Sequence, residues 1–132
     1  MKQAIILIFV MLLNLSCSDP VKPEKPENHR PQISSVTVVP KVVSPSDSVV
    51  ITCYASDPDK DTLVYDWITD GRLHIKGTSD REHSLYNTFE NSHVFYPNNW
   101  RNVDLDTPWV QCFARDRRGM SDAVLVQFIM KK

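Results

Sequence analysis

The sequence predicts an all-β protein, a two-sheet sandwich of about seven short strands. Three observations predict it. From Gln32 onward, short runs rich in Val, Ile, Thr and aromatic residues alternate with turn clusters. No stretch of that region repeats its apolar residues at the helical period. Three of the runs also hold a residue suited to the centre of a core: Cys53 in Val49–Ala55, Trp67 in Leu63–Ile68, and Cys112 in Pro108–Ala114.

The chain begins with a leader. Met1-Lys2-Gln3 is a short positive start, and Ala4 to Leu13 is unbroken apolar sequence. That run is too short for the ~20 residues a bilayer-spanning helix requires, and it fits the apolar core of a secretory signal. The run ends in Asn14-Leu15-Ser16-Cys17, a small residue directly before a cysteine. This segment resembles the lipobox of bacterial lipoproteins, with Asn14 where that family usually carries Leu. The resemblance implies that 1–16 is a lipoprotein signal peptide and that Cys17 becomes the first residue, acylated on its sulfur and amine. Several acyl chains give the stable anchoring that one does not. The other reading is an ordinary cleaved signal with an unrelated cysteine. Ser18, rather than Asp, follows the cysteine. By the same resemblance this favours the outer membrane, on its periplasmic side or at the surface.

Residues 17–30 read as the lipidated Cys17 followed by a Pro-rich linker, with Pro20, Pro23 and Pro26 set among Lys22, Glu24, Lys25 and Glu27. Such a segment has too little apolar content to bury a core. At ~3.1 Å per residue in polyproline geometry it would reach up to roughly 40 Å from the lipid. A single domain, 31–132, follows. Ile33–Val39 is the first predicted strand, and Pro40, Pro45 and Ser46-Asp47-Ser48 separate it from the strand of Cys53. Asp57-Pro58-Asp59-Lys60-Asp61 is a turn cluster. Asp70-Gly71 marks a tight turn before a short strand at Arg72–Lys76. Ser84–Phe89 and Ser92–Tyr96 are further candidates, and a loop runs from Pro97 to Thr107. After the strand of Cys112, Asp116–Gly119 turns into a last strand, Ala123–Met130.

The segment Thr52-Cys53-Tyr54-Ala55-Ser56-Asp57-Pro58-Asp59-Lys60-Asp61-Thr62-Leu63-Val64-Tyr65-Asp66-Trp67 resembles the strand B to strand C region of bacterial immunoglobulin-like and PKD-type domains. Cys112-Phe113-Ala114-Arg115-Asp116-Arg117-Arg118-Gly119 is similar to their strand F to G turn. The likeness covers about Pro31 to Met130. It implies an immunoglobulin-like sandwich in which Cys53 on strand B and Cys112 on strand F form an inter-sheet disulfide, with Trp67 of strand C packed on it. A secreted setting favours that bond, and Cys17, taken by lipid, would leave an even pair. Two separate buried thiols are the alternative. Two motifs of the resembling families are missing. Trp67-Ile68-Thr69-Asp70-Gly71 stands where PKD domains carry Trp-Asp-Phe-Gly-Asp-Gly. Val110 stands where antibody domains have the corner tyrosine.

Period-two alternation assigns the faces. With Cys53, Trp67 and Cys112 inward, Val49, Ile51, Ala55, Leu63, Tyr65, Val110 and Ala114 also point inward. Val124, Val126, Phe128 and Met130 join them from the last strand. The outward set is Val64, Asp66 and Ile68 on strand C, Trp109, Gln111 and Phe113 on F, and Leu125, Gln127 and Ile129 on G. The expectation is one sheet whose outer face carries a polar middle row between apolar flanks. Val64, Ile68, Trp109, Phe113, Leu125 and Ile129 form its candidate binding face, since a patch of that extent marks an interface. The competing expectation is that Tyr86, Phe89, Phe95, Tyr96, Trp100 and Leu105, from the region Gly77–Thr107, fold over it.

Asp57, Asp59 and Asp61, with Asp116 on a loop at the same end, are candidate ligands for Ca²⁺, which takes six to eight oxygens. Structural turns and ion pairs to Arg115, Arg117 and Arg118 are the alternative. The four histidines are expected at the surface, without metal spacing. Trp100 among Asn98, Asn99, Arg101 and Asn102 has the composition of a sugar-stacking site or of a core plug. The formal net charge is −1 and no basic stripe is interleaved with aromatics. Nucleic acid is therefore not an expected partner. No nucleophile elbow, phosphate loop or zinc motif is present. The expected function is non-catalytic: a lipid-anchored envelope protein whose domain binds an envelope protein or a glycan. A stalked structural domain without a ligand, or a Ca²⁺-stabilised adhesion module, are the alternatives.

Overall fold

A computed structural model describes residues 25–79, 83–97, 105–119 and 121–131, with the backbone alone at 105 and 106. The leader, Cys17 and the Trp100 cluster lie outside them. The described residues are all-β, with no helix. The strands are β1 (Gln32–Val39), β2 (Val42–Val43), β3 (Val49–Ser56), β4 (Val64–Thr69), β5 (Leu73–Ile75) and β6 (Ser84–Thr88). They continue with β7 (Ser92–Pro97), β8 (Leu105–Asp106), β9 (Trp109–Arg115), β10 (Ser121–Gln127) and β11 (Ile129–Lys131).

Two four-stranded antiparallel sheets, ordered β1-β3-β7-β5 and β10-β9-β4-β6, enclose the core, and a small third sheet is ordered β2-β11-β8. The alternation predicted for the inner faces holds. Val49, Ile51 and Cys53 of β3 and Val110, Cys112 and Ala114 of β9 are buried, as are Tyr65 and Trp67 of β4. Leu73 and Ile75 of β5 and Phe95 of β7 complete the layer. These side chains are the main driving force of the fold, each contributing about 1.5–3 kcal/mol for full burial of a Val, Leu, Ile or Phe.

Trp67 is the centre of this core and is fully buried. It pairs in register with Cys112. Its indole meets Phe95 at a centroid distance of 5.7 Å and His93 at 5.4 Å, edge-on. Cys53 approaches from the opposite sheet. The bond expected between Cys53 and Cys112 is not formed: both are buried free thiols, close enough to share a hydrogen bond. That hydrogen bond, together with burial, pushes the Cys112 thiol up and keeps its proton in place.

Several elements differ from expectation. The single strand predicted over Ala123–Met130 is divided at Phe128, but its register runs on past the start of β9: the Phe128 N–H donates to Pro108 O at 3.4 Å and Met130 lies opposite Asp106. Phe128 is buried there, and β11 continues the ladder against β8 while β2 pairs on its other side. Val42 and Val43 therefore form a strand between two prolines, held by a partner the local sequence does not contain. The end of the expected loop forms β8. His93, expected at the surface, is inward and 9% exposed, because it lies opposite Ile51 in the β3–β7 ladder. The linker expected to run free as far as residue 30 is tied down at its end. The Asn28 side chain donates to Asp116 Oδ2 at 2.7 Å, and the His29 N–H donates to Asp59 Oδ2 at 2.6 Å.

Candidate functional site

The outer face of the β10-β9-β4-β6 sheet carries most of the predicted binding residues. Register fixes its rows: Trp109 beside Gln127, then Ile68–Gln111–Leu125, Asp66–Phe113–Ala123 and Val64–Arg115–Ser121. The polar residues do not form the expected row. Gln127, Gln111 and Asp66 run diagonally and divide the apolar side chains into Trp109 with Ile68 and Phe113 with Leu125. The reason is the stagger of three strands whose polar positions do not lie directly opposite one another. Val64, Ile68, Trp109 and Phe113 are half-buried, and Leu125 is exposed. Ile129 is also exposed, but it belongs to β11 beside Val42 and not to this sheet.

The expected aromatic cover is not found among the described residues. Phe95 lies in the core, and Tyr96 stacks on His74 in the opposite sheet, with centroids 5.2 Å apart. Tyr86 and Phe89 are exposed. Instead, β6 adds a strand beside β4 and extends the sheet.

Two ion pairs brace this face, and the sequence analysis missed both. Asp66 is outward yet buried, because Arg115 covers it with Nε 2.6 Å from Oδ2 and Nη2 3.0 Å from Oδ1. The Asn87 N–H donates to Asp66 Oδ1 at 2.8 Å, and the same guanidinium reaches the Asn87 side-chain oxygen at 2.9 Å. The carboxylate raises the Arg115 pKa further above its already high value. At the other end, Asp70 receives the Arg72 guanidinium through Nε at 2.8 Å and through Nη2. Asp70 Oδ2 also accepts the Trp109 N–H at 3.1 Å, which fixes where β9 begins and hence where the indole stands. The usable signal was the alternation itself. An aspartate facing out between Val64 and Ile68, directly opposite Phe113, needs a cation from a neighbouring row.

The carboxylate loops meet at the other predicted site. Asp57 Oδ1 accepts the N–H groups of Asp59 and Asp61, and Lys60 closes the turn onto the Asp57 carbonyl. Asp57, Asp59 and Asp61 each bring an oxygen within 4.8 Å of the others. Asp57 Oδ2 and Asp61 Oδ2 are buried without a hydrogen-bond donor, as is Asn28 Oδ1 at the same end. Acceptors in that state fit a cation. Asp116 does not join them: it is 2% exposed, and its oxygens accept from the Asn28 side chain and the Arg118 N–H. Asp59 is engaged by the backbone and ring of His29, and both contacts hold its carboxyl below the usual range. Of the three arginines expected here, Arg118 lies near Asp61, with Nε 3.6 Å from Oδ2, while Arg115 is committed to Asp66.

No family model matches the chain. No curated protein matches it in sequence. Among solved structures, it is similar to a nucleoside hydrolase-related hypothetical protein from Saccharophagus degradans associated with carbohydrate metabolism, at 18% identity and a TM-score of 0.46. It is also similar to the periplasmic chaperone SfaE, at 12% identity and a TM-score of 0.40. The matches cover 79% and 74% of this chain, but only 26% and 56% of those proteins. Likeness at this level carries nothing about activity.

Proposed function

We propose that this chain is a non-catalytic, lipid-anchored protein of the bacterial cell envelope whose immunoglobulin-like domain binds an envelope protein or glycan. The outer face of the β10-β9-β4-β6 sheet is its contact surface. One observation carries the reading. Trp109, Ile68, Phe113 and Leu125 share one outward face, and none is fully buried. Single exposed apolar residues are ordinary, whereas two neighbouring apolar pairs on one face, parted only by a polar diagonal, mark a contact surface.

Three further features support it. The strand orders β1-β3-β7-β5 and β10-β9-β4 correspond to the A-B-E-D and G-F-C sheets of an immunoglobulin-like sandwich. Here β5 precedes β6, so the chain crosses to the opposite sheet and back before β7. Asp66–Arg115 and Asp70–Arg72 brace the strands that carry these apolar side chains. Preorganisation of that kind lowers the ordering cost of binding. Acylated Cys17 and the Pro-rich stalk would deliver the domain to a partner in the same membrane or beside it. The experiment is a cross-linking pull-down from intact envelopes, comparing the wild type with the double variant Trp109→Ser, Phe113→Ser. Loss of specific partners from the variant supports the reading, and an unchanged partner set removes it.

A second reading rests on the oxygens that Asp57, Asp59 and Asp61 bring within 4.8 Å of one another, with Asp57 Oδ2 lacking a donor: Ca²⁺ bound here would displace Arg118 from Asp61 and stiffen the domain and the base of its stalk. A cation bound only by the folded state raises the unfolding midpoint. Millimolar Ca²⁺ should therefore raise it for the wild type and not for Asp57→Asn. An unmoved wild-type midpoint removes the reading.

A further inference from the structure

We propose, resting on the reading of the outer face as a contact surface, that Gln111 is its specificity-determining residue. The partner it selects is a protein whose docking surface is apolar around one amide that is free to donate and accept. Register surrounds Gln111 with apolar side chains. Leu125 lies directly opposite it on β10, and Ile68 directly opposite it on β4. Side chains so placed have Cβ atoms about 5 Å apart. Trp109 and Phe113 stand two residues away on β9 itself, ~7 Å along the strand and on the same face. One amide therefore sits in a ring of four apolar groups, one on each side.

That amide has no task within the domain. Asp66, next on the polar diagonal, is held by Arg115 and the Asn87 N–H. Gln111 is different: no described residue hydrogen-bonds its side chain, and solvent reaches its nitrogen and oxygen. A strand position between Trp109 and Phe113 suits a β-branched or aromatic residue better than a glutamine. The polar group stands where the contact surface has its centre, with its donors and acceptor unspent.

The surroundings of Gln111 define the occupant. A surface docked on the ring excludes water from its centre, and an amide enclosed there without a partner costs affinity. A side-chain amide offers an acceptor oxygen and two donor hydrogens. Its complement in size and polarity is another amide, from a peptide group or from Asn or Gln. Charge points the same way. Gln111 and its four neighbours carry none, and Asp66, opposite Phe113, is neutralised beneath Arg115. A charged partner surface would lose hydration here and meet no opposite charge. A glycan carries a hydroxyl on most of its carbons and would set several of them, unpaired, against Ile68, Phe113 and Leu125. An apolar protein surface with one open amide meets both conditions, and apolar surfaces that lack the amide are penalised.

The test places the photoreactive probe benzoylphenylalanine at Ala123, beside Phe113 at the rim of the ring, in the full chain in intact envelopes. Gln111→Met removes both donor and acceptor while enlarging the apolar surface. Gln111→Glu keeps acceptors and removes the donors. Each should lower the yield of the main wild-type adduct, a polypeptide by mass spectrometry, by about tenfold or more. Two substitutions of opposite polarity keep the test independent of what either does to folding. A wild-type yield in either variant, a raised yield in Gln111→Met, or an adduct whose added mass is glycan would each overturn the proposal. The double variant Trp109→Ser, Phe113→Ser separates the two levels. If it loses the adduct while Gln111→Met keeps it, the contact surface stands and the role of Gln111 falls. A wild-type chain without an adduct, or an adduct that the double variant leaves unchanged, removes both.

Discussion

Asp66 and Arg115 form a two-point ion pair on the outside of a sheet, with contacts of 2.6 and 3.0 Å, and the carboxylate is buried beneath the guanidinium. A buried charge keeps its stabilising role only while its partner is present. Arg115→Ala should therefore destabilise the domain by about 2–3 kcal/mol, mainly by leaving Asp66 without its strongest donors. The double variant Asp66→Leu, Arg115→Ala should recover most of that loss. Urea denaturation of the wild type, Arg115→Ala, Asp66→Leu and the double variant checks both statements. A loss in the double variant as large as the two single losses together would show that the pair is not coupled.

His93 predicts a pH dependence. Burial lowers its pKa from 6.5, and Glu90 opposes the shift only weakly, from 3.9 Å. The folded protein therefore binds fewer protons than the unfolded chain just below pH 6.5. This contribution is intact above pH 6.5 and is lost as pH falls through the window between 6.5 and the lower folded value. His29 acts in the opposite sense. Its hydrogen bond to Asp59 raises its pKa, so its contribution is present below pH 6.5 and fades as pH rises through the folded value. In a His29→Ala background, stability measured by denaturant between pH 8 and pH 5 should fall on acidification. His93→Phe should flatten that fall.

Lys60 occupies the left-handed region with φ 62°. A side chain there costs roughly 1–2 kcal/mol, which glycine avoids at some expense in chain entropy. Lys60→Gly should leave the fold unchanged and raise stability by up to about 1 kcal/mol. A lowered thermal midpoint would contradict this.

Cys53 and Cys112 should close into a disulfide on oxidation, giving two electrons to the oxidant and releasing two protons. Intact-mass measurement should show the loss of two hydrogens with no alkylation of either residue after unfolding. A loop of about 60 residues would contribute roughly 4 kcal/mol if the bond forms without strain. An oxidised protein no more stable than the reduced one would show that closing the bond strains the core.

Much of this architecture was legible in the sequence, because Cys53, Trp67 and Cys112 set the phase of three strands and period two then set every neighbour. Register was not legible. Nothing local says that Ile68 lies opposite Gln111, or that Asp66 lies one row from Arg115, so the polar diagonal and its ion pair stayed hidden. The break at Phe128 and the short β2 depend on each other across more than 80 residues of chain, a relation that no window of sequence contains. His93 was misplaced because its polarity was weighed and its position opposite Ile51 was not. For Asp116 the sequence leaves a cation and a structural turn both open, and the second fits: its oxygens accept from the Asn28 side chain and from its own turn.

The central claim is that the outer face of the β10-β9-β4-β6 sheet, and not the opposite face, meets the partner. Site-specific photo-cross-linking in intact envelopes tests it most directly, with the probe at Phe113 or Ile68 on one face and at Thr37 or Thr52 on the other. The account predicts discrete adducts to the same partner from Phe113 and Ile68 and none from Thr37 or Thr52. Adducts from the threonine positions, or none from Phe113 and Ile68, would contradict it.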